Sequence, residues 1–444
     1  MNQINKLFAG YGIPVKQVEG GYEIEYLNEM NVTYAFDVMD RAQVDYQRTG
    51  ERSFILYSSS IDKGNWVRAV QSLNDYRTEM LFRTEDLPLW KLDVNIAGLV
   101  IQFNRLGLLT MFSCDGHGSN HVRIQFGAVS DAELALLLVT RIGIQAELRG
   151  RMLVMRREMF VNLPMLAAYM DHHVEVAEQE LFDKSFERFL FEQLLEELLQ
   201  IPGESGREGK VRAYLTEELK SLGFNYTVDA AGNLLAEKKF GNGPVVLLNA
   251  HMDTVDRIAE GREIIKNGSD WSSSEGILGA DDRAGIAAIL MALKTFGRRD
   301  FMGTLKVIFT VEEETGLNGA RAVNESFLWN TEAAFVLDRR GSGDLVTHNA
   351  FRHFCTAEFG EWLETIAAEE GFSEFRTVQG GSSDTAIWAA HGLQAVNMSI
   401  GYMNEHTEDE VLNVDDCFRS YQLLKVYVKR AREARRFGRR VVGR

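Results

Sequence analysis

Proline, cysteine and long apolar runs are all scarce in this chain. Its 444 residues include five prolines and three cysteines, and 45% are hydrophobic. That balance excludes a disordered or low-complexity chain. No run of about twenty apolar residues occurs, so no segment reads as a membrane-spanning helix. Cys114, Cys355 and Cys417 are odd in number and widely spaced, which argues against a disulfide framework. The opening MNQINKLFAGYGIPV lacks the apolar core of a secretory signal, so a reduced, cytoplasmic protein is expected. Positive charge is in deficit as well. A net charge of −16 argues against general nucleic-acid binding. The exception is the stretch KRAREARRFGRRVVGR (429–444), readable as an arm for nucleic acid or an acidic partner but favoured as a basic last helical turn running into a frayed tail over 431–444.

The length predicts two or three domains. The most informative stretch runs from Val245 to His406. VVLLNAHMD, LKVIFTVEEE, AAFVLD and AVNMSIG are short, β-branched-rich runs of the kind that form strands buried on both faces. His251, Asp253, Glu313, Glu314, Asp338 and His406 sit at or beyond their ends, and Asp281 opens a helix. In open α/β sheets ligands gather outside the carboxyl ends of the strands. Carboxylates and imidazoles arriving there from distant parts of the chain point to a metal site. No P-loop, GxGxxG or G-x-S-x-G elbow competes with that reading.

The wording of these segments resembles the co-catalytic zinc exopeptidases, the superfamily of M20, M28 and M42 metallopeptidases. LLQIPGESGREGKVRAYLTEELKSLGF (198–224) looks like the opening helices, and DAAGNLLAEKK (229–239) like the next hairpin. LLNAHMDTVD, LGADDRAGIAAILMAL, FTVEEETGLNGAR and GGSSDTAIWAAHGLQAVNMSIGYMNEHTEDE follow in the family's order. The likeness covers residues 187–430 and implies a mixed, mostly parallel α/β sheet sandwiched by helices. It also implies two divalent metal ions, zinc with cobalt or manganese as alternatives. His251 would bind one ion, with Asp253 orienting its ring, and Asp281 would bridge the pair. Glu314 and His406 would complete one shell and Asp338 the other. Glu313 matches the general base, whereas Glu312 is expected to face away by strand alternation. In relatives the peptide bond after the bridging aspartate is cis, here Asp281–Asp282.

The resemblance implies amide-bond hydrolysis, by an aminopeptidase on short peptides or by a deacylase of N-acyl amino acids. Position 338 leans to the former, since relatives acting as aminopeptidases tend to carry Asp there. A metal-binding pseudoenzyme is the third reading, disfavoured by the full ligand set. Ser383 and Asp384 would line the substrate pocket or simply cap a helix. His348, Asn349, Arg352 and His353, in a shortened insertion, would contact substrate or form a polar hairpin.

Residues 1–180 carry no family resemblance and read as a smaller α+β region, divisible into 1–85 and 90–180. The catalytic domain would then occupy 181–430. YEIEYL, VTYAFDV, SFILYS, LLTMFS and HVRIQF are expected as strands. Helices are expected from Asp62 to Leu73, over NIAGLVIQFNRLG, and over SDAELALLLVTRIG with a capping box at Ser130 and Glu133. A long helix is expected over 174–199, and no internal repeat is visible. The turn SCDGHGSNH places Cys114, Asp115, His117 and His121 together. It reads either as a metal site that includes Cys114 and His117 or as a glycine turn that needs positive φ.

Overall fold

The computed structural model describes all residues except 1–2, 59–60, 75–86, 119, 157–158, 160–161, 175–185, 298–299, 382 and 440–444. The chain divides into two compact units, Met1–Leu190 and Phe191–Arg444. Among the described residues, no helix is long and apolar enough to cross a membrane.

The first unit contains the same pattern twice. Its first half runs α1 (Gln3–Gly10), β1 (Val15–Val18), β2 (Gly21–Ile24), α2 (Glu29–Arg41), β3 (Tyr46–Arg48), β4 (Ser53–Leu56) and α3 (Lys63–Leu73). The second runs α4 (Ala97–Arg105), β5 (Thr110–Cys114), β6 (Val122–Phe126), α5 (Val129–Arg141), β7 (Ala146–Arg149), β8 (Met152–Met155) and α6 (Leu163–Val174). The two antiparallel sheets have matching strand orders, β1-β2-β4-β3 and β5-β6-β8-β7. A repeat is therefore present where none was visible in the sequence.

One backbone device recurs four times. Each helix leading into a hairpin is followed, two residues past its end, by a left-handed residue: Gly12, Gln43, Gly107 and Gly143. The next N–H then reaches back five residues, as in Ile13 to Phe8 at 3.0 Å and Leu108 to Phe103 at 3.0 Å. This is the Schellman stop, which satisfies carbonyls that a helix end would leave unpaired. Three of the four positions are glycine, as positive φ favours, and Gln43 takes the same geometry without it. Phe8, Phe54, Trp66, Phe103 and Phe126 lie in one buried core.

Two expectations fail in this unit. VTYAFDV is helical, inside α2, with Asn28 capping through the Asn31 N–H at 2.9 Å. Buried Val32, Ala35, Phe36 and Met39 recur at helical spacing, which outweighs the β-branched and aromatic composition. Ser130 and Glu133 form no capping box: α5 begins a residue earlier, Ala128 is its N-cap, and no side chain caps it. The Ser130 hydroxyl donates instead to the Asp131 carboxylate at 3.3 Å. The helix expected over 174–199 is seen as α7 (Phe186–Leu199), with residues 175–185 outside those described.

After α7 the second unit continues through α8 (Gly209–Ser221), β9 (Asn225–Val228), β10 (Leu234–Lys239), β11 (Val245–His251), β12 (Ile264–Asn267), β13 (Asp270–Ser273) and α9 (Ala280–Thr295). It proceeds with β14 (Thr304–Thr310), α10 (Asn318–Ala322), α11 (Glu325–Leu328), β15 (Ala333–Arg339), β16 (Asp344–His348), α12 (Ala357–Glu369) and β17 (Arg376–Gln379). It closes with α13 (Asp384–Ala390), β18 (Gln394–Ser399), β19 (Tyr402–Met403), β20 (Val411–Asn413) and α14 (Val414–Arg430). Eight strands form one sheet in the order β17-β16-β18-β15-β11-β14-β10-β9. Its centre, β18-β15-β11-β14, is parallel. β12, β13, β20 and β19 form a separate small sheet.

Helices cover both faces of the large sheet, which is why its central strands read as continuous apolar runs. Ala386, Trp388 and Ala389 of α13 pack with Leu247, Ala334 and Val336 on one face. Phe335, pointing the other way by alternation, stacks on Tyr427 of α14 at 5.4 Å. The α14 thiol of Cys417 meets the Ala284 carbonyl of α9. The basic tail is docked rather than frayed as far as Arg439. Phe437 packs edge-on against Phe359, Arg435 pairs with Glu332 at 3.0 Å, and Arg439 donates to the His391 carbonyl.

Gly285 of α9 sets how closely that helix approaches β15. A Cβ there would collide with the Leu337 carbonyl and the Asp282 carboxylate. Alanine would gain about 1 kcal/mol in helix propensity. Overpacking against a strand carbonyl that cannot rotate away costs about 1–3 kcal/mol. Gly285→Ala is therefore expected to lower the thermal midpoint of the full chain, and an unchanged or higher midpoint in calorimetry would contradict this packing.

Candidate metal centre

The parallel strands β11, β14, β15 and β18 deliver their polar residues to one end of the sheet. His251 is the last residue of β11, and its side chain is 1% exposed. Its Nδ1 lies 3.0 Å from the Asp253 carbonyl oxygen and 3.3 Å from Asp253 Oδ1. Its Nε2 faces Asp281 Oδ1 at 3.0 Å and Asp338 Oδ1 at 3.6 Å. Asp253 is fully buried and accepts the N–H groups of Glu313 at 3.0 Å and Glu314 at 3.1 Å. Its Oδ2 also accepts the Ser205 hydroxyl at 2.8 Å. One carboxylate thus fixes both the first imidazole and the glutamate loop.

That loop departs from the expected alternation. β14 ends at Thr310, and Glu312 sits beyond it with φ of 50°. Its side chain accepts from the Asn318 amide at 3.2 Å. Glu312 therefore leaves the cluster because the backbone turns, not because a strand continues.

Asp281 lies in the first turn of α9, after left-handed Gly279, and the Asp281–Asp282 peptide bond is cis. Its second oxygen, Oδ2, lies 3.1 Å from His406 Nε2. His406 Nε2 is also 2.9 Å from Glu314 Oε2. Two imidazoles thereby address the two oxygens of one buried carboxylate. Ligand atoms of His251, Glu313 and Asp338 lie within 4.8 Å of one another, as do those of His251, Asp281 and Glu314. Either trio could hold a metal ion.

Burial alone would push the Asp281 carboxyl up, yet hydrogen bonds from His251 and His406 hold it well below the usual range. Burial, then Asp338, Asp384 and Glu314, push Glu313 up to about 10. Glu314 is raised to about 7, again chiefly by burial. His406 is raised to about 9, first by its bond to Asp281.

The other expected residues divide. Ser383 caps α13 by accepting from the Thr385 N–H at 3.2 Å, and Asn397 donates to its hydroxyl at 3.1 Å. Asp384 is 2% exposed and accepts the Thr310 hydroxyl at 2.5 Å. Ser383 is thus the N-cap of α13. His348 ends β16 with its ring 5.3 Å from that of His353. The Arg352 side chain is exposed, and its backbone N–H donates to the Asn349 side chain, so this segment is a polar hairpin. Among the described residues, no hydrogen bond or ion pair joins His348 or Arg352 to the carboxylate cluster.

Three contributors escaped the sequence reading. The Asn397 amide brackets Asp338, accepting its N–H at 3.0 Å and donating to its carbonyl at 2.7 Å. The Tyr402 hydroxyl donates to Asp338 Oδ1 at 3.0 Å. Glu410, 1% exposed, accepts the N–H groups of Gly279 at 2.6 Å and Asp281 at 3.0 Å. The signal for Glu410 is its place four residues after His406, but the neighbouring acids Glu408 and Asp409 obscured it.

Residues 278–423 match the family described as M42 glutamyl aminopeptidase. An uncharacterized Bacillus subtilis protein, YqjE, is 33% identical over 165 residues, 35% of this chain and 44% of the relative. Carboxypeptidase G2 of a Pseudomonas species is 37% identical over 140 residues, 29% of this chain and 33% of that protein. The chain thus spans less than half the length of these curated relatives. Among solved structures, aminopeptidase PepT from Bacillus cereus aligns at 19% identity and a TM-score of 0.49, over 55% of this chain and 98% of that one. The family-model and sequence matches make the second unit similar to the co-catalytic metallopeptidases over those residues.

Glu410 yields a prediction. In Glu410→Gln one of the two buried N–H groups meets an amide NH₂ instead of an oxygen, which costs about 1–3 kcal/mol. The start of α9, and with it Asp281, loses its anchor. Zinc affinity is expected to fall about 10–100-fold, as for other groups that orient ligands. An unchanged affinity in competition with a chromophoric chelator would show that Asp281 is placed without Glu410.

Proposed function

We propose that the chain is a two-metal hydrolase of amide bonds, acting as an aminopeptidase on short peptides. One observation carries the reading: His251 and His406 face opposite oxygens of buried Asp281, with Asp338, Glu313 and Glu314 beside them. This donor set fits divalent cations. Several carboxylates are buried together, a costly arrangement without positive charge among them. Glu314 Oε1 is buried with no hydrogen-bond partner, a donor in want of a cation. Imidazole nitrogen and carboxylate oxygen without thiolate suit zinc, with cobalt or manganese as substitutes.

In this reading His251, Asp281 and Asp338 would hold one ion, and Asp281, Glu314 and His406 the other. When bound, two such ions polarise the scissile carbonyl and make water a nucleophile at neutral pH. The remaining work falls to the chain. Asp253 holds Nδ1 of His251 so that Nε2 points at the cluster. Tyr402 and Asn397 do the same for Asp338. Glu313, beside His251 and Asp338, would take a proton from the attacking water and deliver it to the amine as the C–N bond breaks.

Asp338 supports the aminopeptidase over the deacylase of N-acyl amino acids, and the matched family's description supports it too. Residues 181–430 would form the catalytic domain, with 1–180 an accessory region. An odd number of widely spaced cysteines fits a reduced, cytoplasmic setting.

Two variants of the full chain test the reading. Asp281→Ala should lose both ions of this centre, since its carboxylate serves each of them. Glu313→Gln should keep both ions and the thermal midpoint but lower kcat about 10²–10⁴-fold. Metal analysis with aminoacyl, dipeptide and N-acyl substrates provides the measurements. Near-parental turnover by Glu313→Gln would exclude it as the proton carrier, and turnover confined to N-acyl substrates would favour the deacylase.

A further inference from the structure

The repeat in the first unit contains its own control. In the first half, β1 and β2 are joined by Glu19 and Gly20 alone. In the second half the corresponding strands, β5 and β6, are joined by the seven residues Asp115 to His121. The topology needs two residues at this place, so the longer connection answers to something other than the fold.

That connection gathers chemistry from two parts of the chain. Cys114 ends β5, His117 lies in the loop, and Asp93 precedes α4. Ligand atoms of Asp93, Cys114 and His117 all lie within 4.8 Å of one another. We propose that Asp93, Cys114 and His117 form a binding site for a single zinc-class divalent cation. It is separate in sequence and in ligand chemistry from the candidate centre of the second unit.

The supports around the trio fit that role. Asp93 is 5% exposed, and its Oδ2 accepts the Asp115 N–H at 2.9 Å. A carboxylate has about four lone-pair sites, so this bond leaves it capable of ligation. Asp115, 3% exposed, accepts the His117 N–H at 2.8 Å and the Asn95 amide at 3.2 Å. Its Oδ1 also lies 3.4 Å from His117 Nδ1. The carboxylate of Asp115 thereby pins the loop between β5 and the start of α4, the supporting arrangement that ligating histidines commonly have.

Ligand type narrows the ion. Thiolate, imidazole and carboxylate together suit zinc or cobalt and poorly suit magnesium or calcium, which prefer oxygen alone. Three protein ligands leave a fourth tetrahedral position, and the side chain of His117 is 53% exposed, so water can reach it. On binding, the Cys114 thiol loses its proton to solvent and donates a sulfur lone pair to the cation. Nothing is oxidised or reduced.

Sulfur makes the site separable by experiment, because the candidate centre of the second unit contains no cysteine. The full chain loaded with cobalt(II) should show a thiolate-to-cobalt charge-transfer band in the near ultraviolet. Asp281→Ala should keep that band while losing ions from the other centre. Cys114→Ser should abolish it, and Asp93→Asn, which preserves size, should weaken cobalt binding at least about tenfold. Zinc should also protect Cys114 from alkylation, with Cys355 and Cys417 buried and unreactive in both states. A parent protein without the band, a band that survives Cys114→Ser, or alkylation of Cys114 at an unchanged rate in zinc would each overturn the site. Failure of the two-metal hydrolase reading would leave the band in place.

Discussion

Crowding of like charge is the constraint around which the second unit is organised. Asp281, Glu313, Glu314 and Asp338 share one cleft with two imidazoles. Two unit charges 4 Å apart interact by about 4 kcal/mol even at an effective dielectric of about 20. Left to relax, such a group would spread apart, so the backbone has to hold it. Asp253 binds the glutamate loop by two N–H groups, Glu410 binds the start of α9 by two more, and Asn397 brackets Asp338 on both sides. Each support is itself polar and buried, so it too depends on complete hydrogen bonding. The apolar sheet beneath supplies the rigidity, with strands covered on both faces and a glycine where α9 comes closest.

Much of this was legible in the sequence because parallel strands write themselves plainly. Three apolar runs led straight into ligand-type residues, and those runs are β11, β14 and β15, while His406 follows β18 at a distance of seven residues. What the sequence could not show was which polar groups hold the ligands. Glu410 is one of several acids in a short run, and Asn397 and Tyr402 sit inside an apolar strand and the two-residue strand after it. Only three-dimensional proximity distinguishes them from ordinary surface acids and strand residues. Glu312 shows the complementary case, in which alternation predicted the right outcome through the wrong mechanism, because the strand had already ended.

The first unit was less legible for reasons of period and backbone. Val32, Tyr34, Phe36 and Val38 look like a strand by composition, and only the spacing of Val32, Ala35, Phe36 and Met39 reveals the helix. Short antiparallel strands such as Tyr46–Arg48 carry too few residues to show alternation. The repeat is invisible for a related reason. Its halves share left-handed corners and strand order, so the likeness lies in the backbone.

Gln43 makes that last point concrete. It occupies the left-handed position that Gly12, Gly107 and Gly143 fill elsewhere, and the turn closes in the same way. A scaffold whose corners depend on geometry more than on residue identity tolerates drift. Two halves built on the same corners and strand order can carry different surfaces without losing the shared fold. The β5–β6 connection is what such freedom permits: one hairpin lengthened and chemically equipped, its twin left at minimal length. In that light the first unit is one backbone plan used twice, and a place where its halves differ in length asks for a reason other than folding.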